Sequence, residues 1–134
     1  MRAVKAQTFG DITPLGGYNG DEDQGQMGAV GVLMAIGLFD VEGGAARNPT
    51  YQITSPVFNR VTIRLNKSYF PGETFTIATR NNSALNVYIQ SAKLNGQPLN
   101  QFWFPHPALV GGGALELELG PQPSRWAANS QPLR

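Results

Sequence analysis

At 134 residues, the chain suits one domain with a modest hydrophobic core. Charged side chains make up only 14% of it, the formal net charge is +1, and Lys and Arg are scattered. That argues against nucleic acid or an anionic membrane as partner, because either calls for a clustered basic face. The absence of cysteine excludes disulfides and thiolate metal sites.

The N-terminus, MRAVKAQTFGD, lacks the apolar core of a signal peptide. No apolar run reaches the ~20 residues that span a bilayer. Arg2 to Phe9 is predicted as a short helix of good helix formers, ended by Gly10. Asp11 to Gly20 reads as a loop punctuated by Pro14, Gly16, Gly17 and Gly20. A second helix is predicted to start near Asp23, a suitable N-cap, with Gln26 completing a capping box. Met27, Val30, Leu33, Met34 and Ile36 occupy more than one of its faces, so it is expected to be buried almost all round. Its glycines weaken it by ~1 kcal/mol each relative to Ala but let neighbouring backbone approach closely. One short preceding helix cannot cover it, and without further neighbours Met27, Val30, Leu33 or Ile36 would be exposed and invite self-association.

Beyond the polar connection Val41 to Pro49, the hydrophobic period changes to two. Tyr51 to Thr54 is a candidate strand. Val61, Ile63 and Leu65 alternate with Arg60, Thr62 and Arg64 in a half-buried strand, and Phe75 and Ile77 alternate with threonines in the next. Asn86 to Lys93 is a third, and Asn95-Gly96 is a hairpin turn into Pro98 and Leu99. Leu115, Leu117 and Leu119 alternate with Glu116 and Glu118 in the last clear strand. Short strands at this spacing, joined by Asn/Gly/Pro turns, predict an antiparallel sandwich. His106 to Val110 is expected to form one helical turn, and Pro121 to Arg134 a tail or a strap over the surface. The chain thus divides into helical residues 1–42, a β portion over 49–126 and a tail, 127–134.

Few residues carry a chemical signal. Asp21 and Asp23 are one residue apart in a glycine-rich loop, so in an extended loop both carboxylates share a side and Glu22 points opposite. Like charges at that range raise one partner's pKa, which suits a general base that activates water. The same oxygens, with Asn19, Gln24 and Gln26 nearby, could hold a divalent cation such as calcium. They could equally be an acidic helix N-terminus favoured by the macrodipole. The EF-hand pattern is rejected, because the twelfth position from Asp21 is Val32.

The sole histidine, His106, lies between two prolines with no evident catalytic partner and is expected to be a turn residue or interface contact. Phe102-Trp103-Phe104 is read as core rather than a sugar-stacking platform. Ser55 and Ser91 lack the glycines of a nucleophile elbow, and Gly111-Gly112-Gly113 precedes no long helix, which disfavours phosphate binding. Asn81-Asn82-Ser83 is a glycosylation sequon that matters only in a glycosylating secretory pathway.

The motifs GYNGDEDQGQMGA with its apolar helix and GLFDV, YQITSPVFNRVTIRL, FTIATRNNSALNVYIQSAKLNG and GGGALELELG follow in order, with a tryptophan near the end. Over about residues 10 to 129, they resemble the C-terminal portion of glycoside hydrolase family 92, calcium-dependent exo-acting α-mannosidases that invert the anomeric centre. The resemblance implies an α+β, mostly β fold. The last helices of an (α/α)6 catalytic barrel would be followed by antiparallel, sandwich-like strands. It assigns Asp21 and Asp23 to the general-base function, Asp23 ahead of Asp21, across ~6.5–9.5 Å from an acid. That acid is a glutamate upstream of anything matched here, so the chain by itself is expected to be inactive. The same resemblance implies calcium in the intact enzyme with ligands mostly outside this chain, α-mannoside glycans and the remainder of the catalytic domain as partners, and a secreted or periplasmic parent. Val30 stands where members commonly carry a tryptophan. The alternative is a carbohydrate-binding or assembly module without activity of its own.

Overall fold

A computed structural model describes residues 1–9, 17 and 24–131. Two helices, α1 (Arg2–Thr8) and α2 (Gln26–Ile36), precede two β-sheets. Strands β1 (Leu38–Phe39), β2 (Thr50–Ile53) and β7 (Trp103–Pro105) form a three-stranded antiparallel sheet in the order β1-β2-β7. The larger sheet has the order β3-β4-β8-β5-β6, from β3 (Arg60–Arg64), β4 (Thr74–Arg80), β5 (Tyr88–Leu94), β6 (Gln97–Pro98) and β8 (Gly113–Gly120). A one-turn helix, α3 (His106–Val110), sits where one helical turn is predicted.

The core lies between the two sheets. Period-two alternation drives Phe75 and Ile77 of β4, Leu115, Leu117 and Leu119 of β8 and Ala92 of β5 inward. They meet Leu38, Ile53 and Phe104 from the smaller sheet, with Leu109 of α3 in the same cluster. The rings of Phe75 and Phe104 stack across the interior with centroids 5.7 Å apart. Phe104 is therefore core, as read from the aromatic cluster, and it lies on a strand too short to register as a period.

The sheet is mixed rather than antiparallel as predicted. Strand β8 runs parallel to β4, from Phe75 opposite Gly113 to Arg80 opposite Glu118, and antiparallel to β5 on its other side. The alternating pattern reports which face of a strand is buried, not its direction or neighbours. A bulge supplies the second departure. Ile89 faces Leu119 while Ser91 faces Glu118, so Gln90 is an extra residue on β5. The inserted residue reverses the alternation, and Ile89 and Ala92, three apart, turn to the same interior.

After β8 the chain straps across the sheets as expected for a surface segment. The indole N–H of Trp126 donates to Leu99 O at 2.7 Å while its ring packs against the core. Trp103 Nε1 donates to Gln131 O at 3.0 Å, and Ser130 Oγ donates to Gln101 Oε1 at 2.6 Å.

Helix α2 differs from its prediction at its start. Its N-cap is Gly25 at φ 96°, following Gln24 at φ 59°. The helix thus begins at Gln26, because two successive left-handed residues turn the chain before helical bonding starts, while Asp23 itself lies outside the described residues. Its surface is only partly covered within this chain, as expected of a helix that one short preceding helix cannot cover. Only Met34 and Ala35 are buried, Met27, Val30, Leu33 and Ile36 are half-buried, and Val32 is 61% exposed.

Candidate functional site

Asp21 and Asp23, the predicted base pair, and Asn19 and Glu22 beside them lie outside the described residues. What the structure establishes is the frame on either side of their loop. On one side, the ring of Phe9 at the end of α1 lies over Gly31, where a Cβ would come within 2.9 Å of it. This close approach is what a glycine in a helix permits. At the far end of α2 from that loop, Gly37 ends the helix at φ 85°, with Thr54 O 2.7 Å from where its Cβ would be. A side chain there would be both strained and obstructed. Thr54 N donates back to Gly37 O at 2.8 Å, which ties the end of α2 to the segment after β2.

Arg2 fixes α1 to the β portion. Its guanidinium donates to Ser83 O at 3.0 Å, to Ser55 O at 3.4 Å, and also to Pro56 O and Asn82 Oδ1. Partial burial lowers the arginine's pKa from its ordinary value. Nothing in the sequence singles out Arg2, since its partners are carbonyls more than fifty positions away. Beside it opens a cleft of about 820 Å³ between the first residues of α1 and Thr54, Ser55, Tyr88 and Trp126. The Thr54 and Ser55 hydroxyls are buried there without a hydrogen-bond partner among the described residues.

His106 has a structural partner. Tyr51 Oη lies 2.9 Å from its Nδ1, joining β2 to the start of α3. The Phe70 ring meets the imidazole edge-on at 6.3 Å. Burial, and secondarily the negative charge of Asp40, raise the Tyr51 pKa above 10.0, so the hydroxyl stays protonated. The pair is a structural clasp between strand and helix. Its one sequence signal is Tyr51 within a candidate strand.

Ser55 is buried with no hydrogen-bond partner for its hydroxyl among the described residues, and Ser91 is exposed on β5. Asn81 of the sequon hydrogen-bonds Glu118 through its side-chain amide. Among the described residues no group of three or more His, Asp or Glu side chains could hold a metal ion. No helix among them is long and apolar enough to cross a membrane.

The sequence model for the glycosyl hydrolase family 92 catalytic domain matches residues 1–121. An uncharacterized secreted glycosidase of Arthroderma benhamiae is 38% identical over 120 residues, covering 88% of this chain and 14% of its own length. The solved GH92 family glycosyl hydrolase CcMan5 superposes with a TM-score of 0.81 at 31% identity, covering 93% of this chain and 16% of that one. A GH92 inverting mannosidase from Bacteroides thetaiotaomicron superposes with a TM-score of 0.66 at 36% identity, over 80% of this chain and 14% of that one. The chain therefore spans about one-seventh of the length of these relatives. With the family model spanning the helices, the loop between them and both sheets, the chain belongs to glycosyl hydrolase family 92.

Proposed function

We propose that this chain forms the base-bearing end of an inverting α-mannosidase site, with Asp23 as general base and Asp21 supporting it. The observation that carries this reading is the family match over residues 1–121, which includes the GDED loop, together with 36% identity to an inverting mannosidase. Asp23 would take a proton from a water as its oxygen attacks the anomeric carbon. An acid from elsewhere in the enzyme would protonate the leaving oxygen on the opposite face. Asp21 at close range would hold the water and raise the base's proton affinity.

In this reading α2 is the last helix of an (α/α)6 barrel. Its half-buried Met27, Val30 and Leu33 and its exposed Val32 would then meet the remainder of the catalytic domain. The parent acts on α-mannosides outside the cytoplasm, a location supported by the secreted fungal relative. Calcium, if the parent uses it, would be held mostly by residues elsewhere.

A segment exchange tests the proposal. This chain replaces its counterpart in the Bacteroides inverting mannosidase, and hydrolysis of an aryl α-mannoside is followed. The chimera should turn over, the 134-residue chain alone should not, and Asp23→Asn in the chimera should lower kcat by about 10²–10⁴-fold. An active chimera indifferent to Asp23→Asn and Asp21→Asn would overturn the assignment.

A further inference from the structure

The solvent face of the larger sheet carries a second polar constellation. Because Ile77, Leu115, Leu117 and Ala92 point into the core, Ala78 and Arg80 of β4, Glu116 and Glu118 of β8, and Ser91 and Lys93 of β5 share the opposite face. The register places Lys93 opposite Glu116 and Ser91 opposite Glu118, with Ala78 and Arg80 on the other flank of the same two carboxylates. These side chains line a depression of about 230 Å³.

Opposite charges in register across strands normally attract one another. Here they do not close: the ion pair among the described residues is Lys67–Glu73, on a different part of the surface. Glu118 accepts from the Asn81 amide instead. The small side chains of Ala78 and Ser91 leave room between the charged ones.

We propose that this face binds a neutral oligosaccharide, its hydroxyls bridging the cations Arg80 and Lys93 and the carboxylates Glu116 and Glu118. Two cations and two carboxylates cancel, so the patch offers no net attraction to a charged ligand. It does interleave donors and acceptors, and a sugar hydroxyl is both at once. An anionic polymer would find carboxylates in its path. The proposal makes no use of Asp21 or Asp23, so it stands or falls separately from the catalytic reading.

The test is an NMR titration of the 134-residue chain with neutral α-linked mannotriose. Amide shifts should concentrate at Ala78–Asn81, Ser91–Lys93 and Glu116–Glu118. Arg80→Ala and Glu116→Gln should each weaken binding about ten-fold, and Lys67→Ala should leave it unchanged. Thermal melts accompany each variant, and Lys93→Ala, at an exposed position, replaces any variant whose melt is lowered. No shifts, shifts clustered around residues 17–27 instead, or tighter binding of a sulfated oligosaccharide of the same length would overturn the proposal.

Discussion

The helical and β regions of this chain are both rich in apolar residues, yet they use them differently. In the sandwich, Phe75, Ile77, Leu115 and Leu117 are at most 1% exposed, each covered by the facing sheet. In α2, an almost wholly apolar sequence leaves just Met34 and Ala35 buried, each at 9%. The sheets complete one another. The helix rests on Phe9, on the turn at Gly37 and on the edge of the core, and keeps apolar surface to spare. Hydrophobic sequence alone thus does not tell a core element from an interface element; what distinguishes them is whether this chain supplies the cover.

Substitutions can break that contrast. The largest effect is expected for Phe75→Ala, which empties the stacked pair at the centre of the sandwich and should cost about 3–5 kcal/mol by denaturant unfolding. A loss no larger than that of a helix substitution would mean the sandwich is not the stabilising unit. Gly37→Ala comes next. It places a side chain at φ 85° against Thr54 O, and about 1–3 kcal/mol should be lost, with hydrogen exchange accelerating in α2 before the sheets.

Tyr51→Phe sharpens the comparison within the β region. Losing the bond to His106 should cost about 1 kcal/mol at neutral pH. The raised Tyr51 pKa adds a pH signature. The unfolded chain gives up its phenolic proton first, so this stabilisation is complete below 10.0 and falls as pH rises through the higher folded value. In the Phe variant that component of the alkaline loss should vanish from a series of melts. The smallest effect is expected for Val32→Ser, within about 0.5 kcal/mol, because the side chain is 61% exposed. Light scattering should nevertheless show less self-association, which would mark the free helix face as the sticky one.

Much of the sandwich could be read in advance, because strands with one buried face announce themselves by alternation, as Val61 to Leu65 and Leu115 to Leu119 do. Strands β1 and β7, two and three residues long, are too short to display a period. The extra residue Gln90 scrambles the pattern of β5, and the parallel pairing of β8 with β4 depends on contacts that alternation does not encode. The start of α2 was misplaced for a local reason. The left-handed turn at Gln24 and Gly25 sets the first helical residue at Gln26, and a sequence pattern does not announce such a turn. At the site, the acidic loop was legible as a motif. Arg2 and the Tyr51–His106 clasp were not, since each joins residues more than fifty positions apart.

The placement of β8 has a consequence for how the protein is made. Strand β8, the last in sequence order of the five strands of the larger sheet, occupies its middle, between β4 and β5. Until Gly113 to Gly120 has left the ribosome, β3-β4 and β5-β6 are two separate ribbons with bare inner edges and an uncovered apolar side. The nascent polypeptide therefore carries an open, pairing-competent gap in this sheet from the making of β4 and β5 until β8 emerges to seal it.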